Sequence, residues 1–311
     1  MTALVLLGGG GLAIAFPALV ASDPYFLYVG AAACLWATLA TAWGLLAYAG
    51  QVSFGQAAFF GVGAYTSALL AQRAGLSPWL GVFAAGLAGA LVAAPIGLTA
   101  HRLRGAYLAL GTLAYAEALR LVALNWTGLT GGGSGLVGIP DLPAPGLEAS
   151  LALSRGRAGG YYVSLALLLG TLGIAAGLRR GRAGLAWAAI RECEERAAQL
   201  GVAATPYKVL AFVCSGAVTA VGGALYAHAV RFVEPDLVFG RSLSLLPLVM
   251  ATFGGALPLL GPACGALLLY LSSELVFQPL LPRLHQLPYA LALVVSVLAL
   301  PQGLAGLVRR S

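Results

Sequence analysis

The sequence predicts an all-α polytopic membrane protein with about ten transmembrane helices, some of them short or broken. Two observations support this fold class. Apolar residues make up 60% of the 311 residues and charged residues only 9%, whereas soluble domains carry about 25% charged residues. The apolar runs are also long and continuous, unlike the alternating runs of about ten residues in membrane β-barrels. Since only helices and closed barrels satisfy their backbone inside lipid, the spans are predicted to be helices.

The apolar runs place the helices along the chain. No basic residue precedes the first run, which favours a transmembrane helix over a cleaved signal peptide. The run 54–71 begins inside a polar motif, and 242–254 is short for a crossing of about 20 residues. The predicted spans are 2–20, 27–49, 54–71, 79–100, 106–124, 161–178, 209–230, 242–254, 259–277 and 287–307.

The basic residues orient these spans. If ten helices alternate, the dense cluster at 179–182 falls on the same side as Arg102, Lys208 and the tail Arg309-Arg310. An excess of Lys and Arg marks the cytoplasmic side, so both termini are expected in the cytoplasm. Topology then accounts for the net charge of +7, and nucleic acid is not expected as a partner. Residues 1–311 are interpreted as a single transmembrane domain in the lipid bilayer.

Two loops are long enough to have functions outside the bilayer. Residues 125–160, rich in Gly and Pro, are expected on the extracytoplasmic side, and residues 179–208, with the dense charge run, on the cytoplasmic side. Apolar residues recur at helical spacing in the second loop, which predicts one or two short amphipathic helices, with Gly201 where a C-cap is expected. This stripe fits either packing against the protein's own helices or docking of another protein. Its members are Ala186, Ile190, Cys193, Ala197 and Leu200.

No constellation in the sequence predicts catalysis, a metal site or a cofactor. The segment GSGLVG at 133–138 matches G-x-G-x-x-G, but it follows an apolar helix and lacks the strand–helix context of a dinucleotide site. No Gly-Lys pair is present for a phosphate-binding loop. Within the spans, Glu117 precedes Arg120 by three residues, the spacing of a helical ion pair. The histidines and cysteines are scattered without metal-ligand spacing: His101, His228, His285, Cys34, Cys193, Cys214 and Cys264.

Two glycine-rich breaks interrupt the apolar runs, GQVSFGQ at 50–56 and FGGALPLLGPACGA at 253–266. Backbone groups freed at such breaks survive at membrane depth only when buried in protein or lining a wet cavity. The first break fits either a tight turn or a broken helix whose polar groups face a path through the protein. A glycine here fits either close helix packing or the lining of that path. The helix-break glycines are Gly50, Gly55, Gly254, Gly255 and Gly261.

Several segments resemble, in order, the permease family of branched-chain amino acid ABC transporters, and in particular its LivM-type subunits. The stretch from Glu195 to Gly201 is similar to the E-A-A-x-x-x-G coupling loop of ABC importer membrane subunits, with Arg196 in place of the first alanine. Together the resemblance covers most of residues 44–277. The matching segments are LAYAGQVSFGQAAFFGVGAYTSALL, LRGAYLALGTLAYAEALRLVALNWTGLTGGGSGLVGIP, GLAWAAIRECEERAAQLGV, KVLAFVCSGAVTAVGGALYAH and TFGGALPLLGPACGALL.

The resemblance implies one half of a transmembrane heterodimer in the plasma membrane. A second permease subunit, two ATP-binding cassette ATPase subunits and an extracytoplasmic substrate-binding protein would complete the importer. ATP hydrolysis is then expected in the partner subunits, and this chain is not an enzyme. Branched-chain or other hydrophobic amino acids are the expected cargo. Urea is the alternative within the same superfamily.

The resemblance also suggests site residues. Glu195, Ala197 and Gly201 match the coupling loop and are expected to dock the ATPase. For the path, the side chains in and after the first break would serve the apolar and zwitterionic parts of an amino acid. These are Gln51, Ser53, Phe54, Gln56 and Phe59. A stand-alone channel or secondary carrier, and an intramembrane enzyme, are the alternatives of a different class.

Overall fold

The computed structural model describes residues 24–100, 102–142, 157–280, 287–298 and 303–306. Within these ranges the chain forms a bundle of long helices and one two-stranded β-ladder. Several expectations fall on other residues and so lie outside the described part. They are the span 2–20, the histidines His101 and His285, residues 143–156 of the outer loop, and the tail Arg309-Arg310.

The helices of the bundle follow the predicted spans to within a few residues at most boundaries, because long apolar runs are the strongest signal in the sequence. They are α1 (Pro24–Tyr48), α2 (Gln56–Arg73), α3 (Pro78–Thr99), α4 (Ala106–Asn125), α5 (Thr127–Thr130), α6 (Arg157–Arg180), α7 (Arg182–Glu192), α8 (Glu194–Gln199), α9 (Ala204–Val230), α10 (Pro235–Val238), α11 (Arg241–Gly254), α12 (Gly261–Ser272), α13 (Gln278–Leu280) and α14 (Leu287–Leu298). A π-helical segment, Ser273–Phe277, joins α12 to α13.

Seven segments of the described residues are long and apolar enough to cross a membrane, so the chain is an all-α polytopic membrane protein. Helix α2 is not among the seven, since its 18 residues include Gln56, Gln72 and Arg73. The seven segments are Tyr25–Tyr48, Pro78–Thr99, Ala106–Asn125, Gly159–Arg180, Ala204–Val230, Pro235–Gly254 and Gly261–Leu280.

Helix α9 forms the centre of the bundle and packs on both α3 and α2. Glycines allow the close approach that membrane helices need in the absence of a hydrophobic driving force. An added Cβ at Gly63 of α2 would lie 2.0 Å from the carbonyl oxygen of Ala220, and one at Gly223 would lie 2.1 Å from that of Phe60. Gln56 bonds to Ser215 and Thr219, and Ser67 bonds to His228, so the side-chain contacts run in the same order along both helices and α2 and α9 are parallel. A second layer of α1, α6, α11 and α12 packs around Trp43 and Met250.

One end of the bundle is closed by loops from different parts of the chain. The strands β1 (Leu136–Val137) and β2 (Phe232–Val233) pair antiparallel there. Nearby, the Nε2 atom of His228 lies 2.7 Å from the hydroxyl of Ser67, and its Nδ1 atom lies 2.6 Å from the carbonyl oxygen of Pro140. The ladder was not expected from the sequence, because two-residue strands are too short to produce an alternating pattern.

The ion pair predicted between Glu117 and Arg120 is confirmed at this end, with Arg120 Nε 3.1 Å from Glu117 Oε1. Asp236 of α10 also binds Arg120, through Nη1. Sequence spacing gave no sign of Asp236, since it lies more than a hundred residues away in the chain. The group therefore links α4 to α10.

Candidate functional site

The first break is a short non-helical segment that turns back into the bundle. It begins at Gly50, whose φ of 74° is the left-handed conformation that glycine adopts without strain. The Gln51 amide donates to the Leu46 carbonyl at 2.8 Å. Two residues later, the carbonyl of Ser53 accepts a 2.8 Å hydrogen bond from Trp43 Nε1. Because Trp43 lies inside α1, the chain has already returned to the level of that helix before α2 begins.

Helix α2 therefore starts inside the protein. The Gln56 side chain, its first residue, donates from Nε2 to Ser215 Oγ at 3.1 Å and accepts from Thr219 Oγ1 at 2.9 Å. At a rise of about 1.5 Å per residue, Ser215 lies about 16 Å along α9 from its start at Ala204. The hydroxyl of Ser244 in α11 accepts the Ala57 amide at 3.2 Å. Of the two sequence interpretations, the broken helix describes this geometry and the plain tight turn does not.

The path residues predicted from the sequence all lie on or directly after this segment. Gln51, Ser53, Gln56 and Phe59 are buried, and Phe54 is half-buried. The amide of Phe54 donates to Thr112 Oγ1 of α4 at 2.8 Å. Residues of α1, α4, α9 and α11 thus bond to the segment or to the first residues of α2. It is a polar seam within an apolar bundle, and a role for these side chains in contacting a substrate stays a prediction.

The second break, residues 255–260, separates α11 from α12 and lies beside the first. An added Cβ at Gly44 would lie 2.8 Å from Pro262 Cγ and 3.8 Å from the Ala256 carbonyl oxygen, so the C-terminal part of α1 lies against this break. Within the break the helices touch at glycine: an added Cβ at Gly254 would lie 1.9 Å from the Gly261 carbonyl oxygen. Gly255 has a φ of 103° at the turn. Close packing is therefore the role that the geometry assigns to Gly254 and Gly261.

Two arginines of the region 179–208 fasten the ends of both breaks. Arg179 donates to the Leu257 carbonyl at 2.7 Å, and its guanidinium lies 4.4 Å from the centroid of the Tyr48 ring. Arg191 lies 4.9 Å from the same ring and packs against the turn at Gly50. Stacking of guanidinium on an aromatic face is favourable. The loop is thereby tied to the two places where the membrane helices are interrupted.

The loop itself contains two helices, α7 and α8, that meet at Cys193. The apolar stripe is buried along most of its length but exposed at its C-terminal end. Ala186, Ile190 and Ala197 are buried against the protein's own helices, whereas Leu200 is 84% exposed. Trp187 is also fully buried and donates to the Tyr207 carbonyl, a contact that the stripe did not predict.

The three residues of the coupling-loop motif lie together on α8 and its C-terminus. The side chain of Glu195 is 79% exposed, and Ala197 is buried beneath it. Gly201 has a φ of 83° and ends the helix, with Gly201 N bonded to Ala198 O and Val202 N to Ala197 O. This pair of bonds is the Schellman arrangement, in which glycine avoids a steric penalty. The result is a short helix that presents an acid and Leu200 to the outside.

Beneath α8 lies an ion pair that the sequence did not predict. Lys208, which the sequence analysis used only to orient the membrane spans, is 1% exposed, and its Nζ atom lies 2.8 Å from Glu194 Oε1. The other carboxylate oxygen of Glu194 lies 3.4 Å from Arg104 Nε. A Lys so deeply buried is rare unless it is paired. Spacing along the sequence could not identify this pair, because a solvated and a buried lysine look alike there.

The described residues contain no group of three or more His, Cys, Asp or Glu that could hold a metal ion. The cysteines in this part of the chain are free thiols. The polar chemistry of the site is therefore hydrogen bonding by amides and hydroxyls at the breaks and charge pairing at α8. Such a site can position chain segments and contact a polar solute.

Comparisons with known proteins place the chain among transport proteins. The model of a family described as branched-chain amino acid transport system / permease component matches residues 25–300. The high-affinity branched-chain amino acid transport system permease protein LivM of Salmonella typhimurium strain LT2 is 34% identical over 249 residues, which cover 73% of this chain and 57% of the relative. LivM of Escherichia coli strain K12 gives the same figures.

The chain thus spans 57% of the length of the curated relatives it matches. No solved structure gives a significant match. The family match, by contrast, runs through both breaks, α8 and every candidate membrane span of the described residues. The chain belongs to the family of branched-chain amino acid transport system permease components.

Proposed function

We propose that this chain is the membrane-spanning subunit of an ATP-driven ABC importer for branched-chain or other hydrophobic amino acids. The observation that carries the proposal is the position of α8. This exposed helix with an acidic residue at its surface rests on the ends of helices that hold the interrupted segment at 50–56. Family membership supports this proposal, and so does the similarity to LivM, a permease protein of branched-chain amino acid transport.

The importer would contain a second permease subunit, two ATPase subunits and an extracytoplasmic binding protein. The topology in this proposal has ten transmembrane helices, both termini in the cytoplasm and the whole assembly in the plasma membrane. The basic residues of the described chain favour that orientation. Arg104, Arg179, Arg191 and Lys208 gather at the end of the bundle that carries α8, where an excess of positive charge is expected to face the cytoplasm.

In the proposed cycle, the ATPases bind ATP, close and move α8 through contacts with Glu195 and the cap at Gly201. Ala197, buried under α8, keeps the helix seated on the bundle. The movement shifts the population between outward- and inward-open states. The break at 50–56 is the segment that rearranges, since its backbone is held by side-chain hydrogen bonds and not by a helix. Gln51, Ser53 and Gln56 would meet the charged groups of an amino acid, and Phe54 and Phe59 its side chain.

Reconstitution of the complete transporter tests this function. Proteoliposomes with ATP at the ATPase side are expected to accumulate radiolabelled leucine only when the binding protein is added outside. Vesicles that contain this chain alone serve as the control and are expected to show no flux. Flux through the single chain without ATP would contradict the proposal and favour a stand-alone channel or carrier. ATP-dependent uptake of urea in place of leucine would support the ABC importer but contradict the amino acid as its substrate.

Substitutions in α8 test the docking role. Glu195→Ala and Gly201→Val are each expected to lower uptake by about tenfold, the size of a typical coupling free energy. Gly201→Val acts through strain, because a β-branched residue does not tolerate a φ of 83°. ATP hydrolysis should continue but lose its stimulation by the loaded binding protein.

The matched control for α8 is Glu192→Ala, which removes an exposed acid at the end of α7 and is expected to leave uptake unchanged. Blue-native electrophoresis checks that all variants assemble with their partners. Equal, full uptake by Glu195→Ala and Glu192→Ala would contradict docking through Glu195.

A further inference from the structure

We infer that the buried ion pair between Lys208 and Glu194 is the positioning element that transmits movement of α8 to the broken start of α2. The inference rests on the proposed function and names residues beyond the coupling-loop motif. Glu194 directly precedes Glu195, so a half-buried acid and an exposed acid are neighbours on one short helix with different surroundings. One faces the cytoplasm, and the other is anchored in the bundle.

The anchor is a closed set of charge-assisted contacts. Besides its 2.8 Å contact with Glu194, the Nζ atom of Lys208 donates to the Ala100 carbonyl at the end of α3, at 3.1 Å. Arg104 approaches both acids, with 3.4 Å to Glu194 and 3.6 Å to Glu195. Because the lysine is almost wholly buried, its charge has few other partners if Glu194 moves away. A displacement of α8 therefore has to pull Lys208 or break a buried pair.

The lysine lies on the same face of α9 as the side chains that hold Gln56. Lys208 and Ser215 are two helical turns apart, about 10 Å along the axis, and Thr219 follows one turn later. Phe212, fully buried between them, packs in the same core. A regular helix transmits a shift of one end to the other with little loss. Motion at Lys208 thus arrives at Gln56 through Ser215 and Thr219.

The second oxygen of Glu194 leads to the other side of the same break. Arg104 lies two residues before α4, which starts at Ala106. Thr112, in the second turn of α4, accepts the backbone amide of Phe54. One carboxylate is therefore connected to two of the helices that hold the segment: α9 at Gln56 and α4 at Phe54. This convergence distinguishes Glu194 from an ordinary surface acid.

The pair is not needed for packing alone. Replacing a buried ion pair with apolar residues of similar volume often leaves stability unchanged or raises it, whereas removing one partner is strongly destabilising. An apolar pair would keep α8 packed on the bundle, but α8 could then shift relative to α9 without moving it, since an apolar contact lacks directional bonds. Stability and transmission can therefore be separated by mutation.

The test compares variants of the complete importer in proteoliposomes, with amino acid uptake and ATP hydrolysis measured in the same vesicles. In Lys208→Met with Glu194→Leu, the thermal midpoint is expected to stay near the wild-type value, while the number of leucine molecules moved per ATP falls about tenfold. Lys208→Arg keeps the charge and is expected to retain most of the ratio. Arg182→Met removes an exposed positive charge from the same loop and serves as the matched control.

A wild-type ratio in the apolar double variant would overturn the inference. So would an equal loss in Arg182→Met, because removal of any charged side chain from this loop would then have the same effect. If Lys208→Met alone fails to assemble, the double variant still decides the question. Absence of ATP-driven uptake in the wild-type complex would overturn the proposed function itself, and this result is seen before any variant is compared.

Discussion

Gly63→Ala is expected to destabilise the folded subunit by about 3 kcal/mol, at the upper end of the usual cost of overpacking. The added methyl group would lie 2.0 Å from the Ala220 carbonyl oxygen, and its neighbours at that point are backbone atoms that cannot rotate away. The reciprocal contact, Gly223 against the Phe60 carbonyl, means that α2 and α9 cannot slide to make room. Thermal unfolding of the purified subunit in detergent, followed by circular dichroism, measures the loss.

The matched control for Gly63 is Gly173→Ala in the middle of α6, where an added Cβ meets no atom within 4 Å. The same substitution should there be neutral or stabilising by up to about 1 kcal/mol, since alanine has the higher helix propensity. If both variants melted at the same temperature, the close approach of α2 and α9 would not be the reason for glycine at position 63.

Gln56→Leu is expected to destabilise the subunit by about 2 kcal/mol and to abolish uptake by the complete transporter. The substitution strands the buried hydroxyls of Ser215 and Thr219, and an unsatisfied buried polar group costs about 1–3 kcal/mol. Without these bonds, the first turn of α2 has no side-chain tie to α9. Thermal unfolding reports the first effect and leucine uptake the second.

A combined variant separates the two effects. Gln56→Leu with Ser215→Ala and Thr219→Val removes every polar partner at once, which can be nearly neutral for stability. We expect unfolding to return toward the wild-type temperature while uptake stays low, because the tie between α9 and the break is still missing. Gln72→Leu, at the exposed end of α2, is the control and should change neither quantity much. Recovery of uptake together with stability would reduce Gln56 to a packing residue.

Hydropathy predicted most of the fold because crossing a membrane requires a run of apolar residues, and such runs are visible one helix at a time. The start of α2 at Gln56 was harder to place. Its polar residues signalled a break, but its depth depends on Ser215 and Thr219, more than 150 residues away. Helix pairing of this kind depends on shape at glycines such as Gly63, which periodicity does not record.

The candidate site likewise contains residues that the sequence identified and residues that only the structure revealed. The motif from Glu195 to Gly201 was found by its residues, and the structure adds a local reason for the glycine, the left-handed cap. Lys208 and Glu194 were missed, because the same lysine would satisfy the positive-inside rule whether solvated or buried. Asp236, which binds Arg120 alongside Glu117, was missed because no local spacing connects Arg120 to an acid so far away in the chain.

Because α2 starts inside the bundle, a small tilt about its first residue would produce a larger displacement at its other end. Its 18 residues form a rod about 27 Å long, with one end at the break and the other at the loops that close one end of the bundle. At those loops, Gln72 donates to the Val137 carbonyl, and Arg73 to those of Gly128 and Leu129. Pivoting the rod about Gln56 would move these contacts by about half an ångström per degree. A tilt too small to open the packed interior would thus displace the loop surface at that end of the bundle.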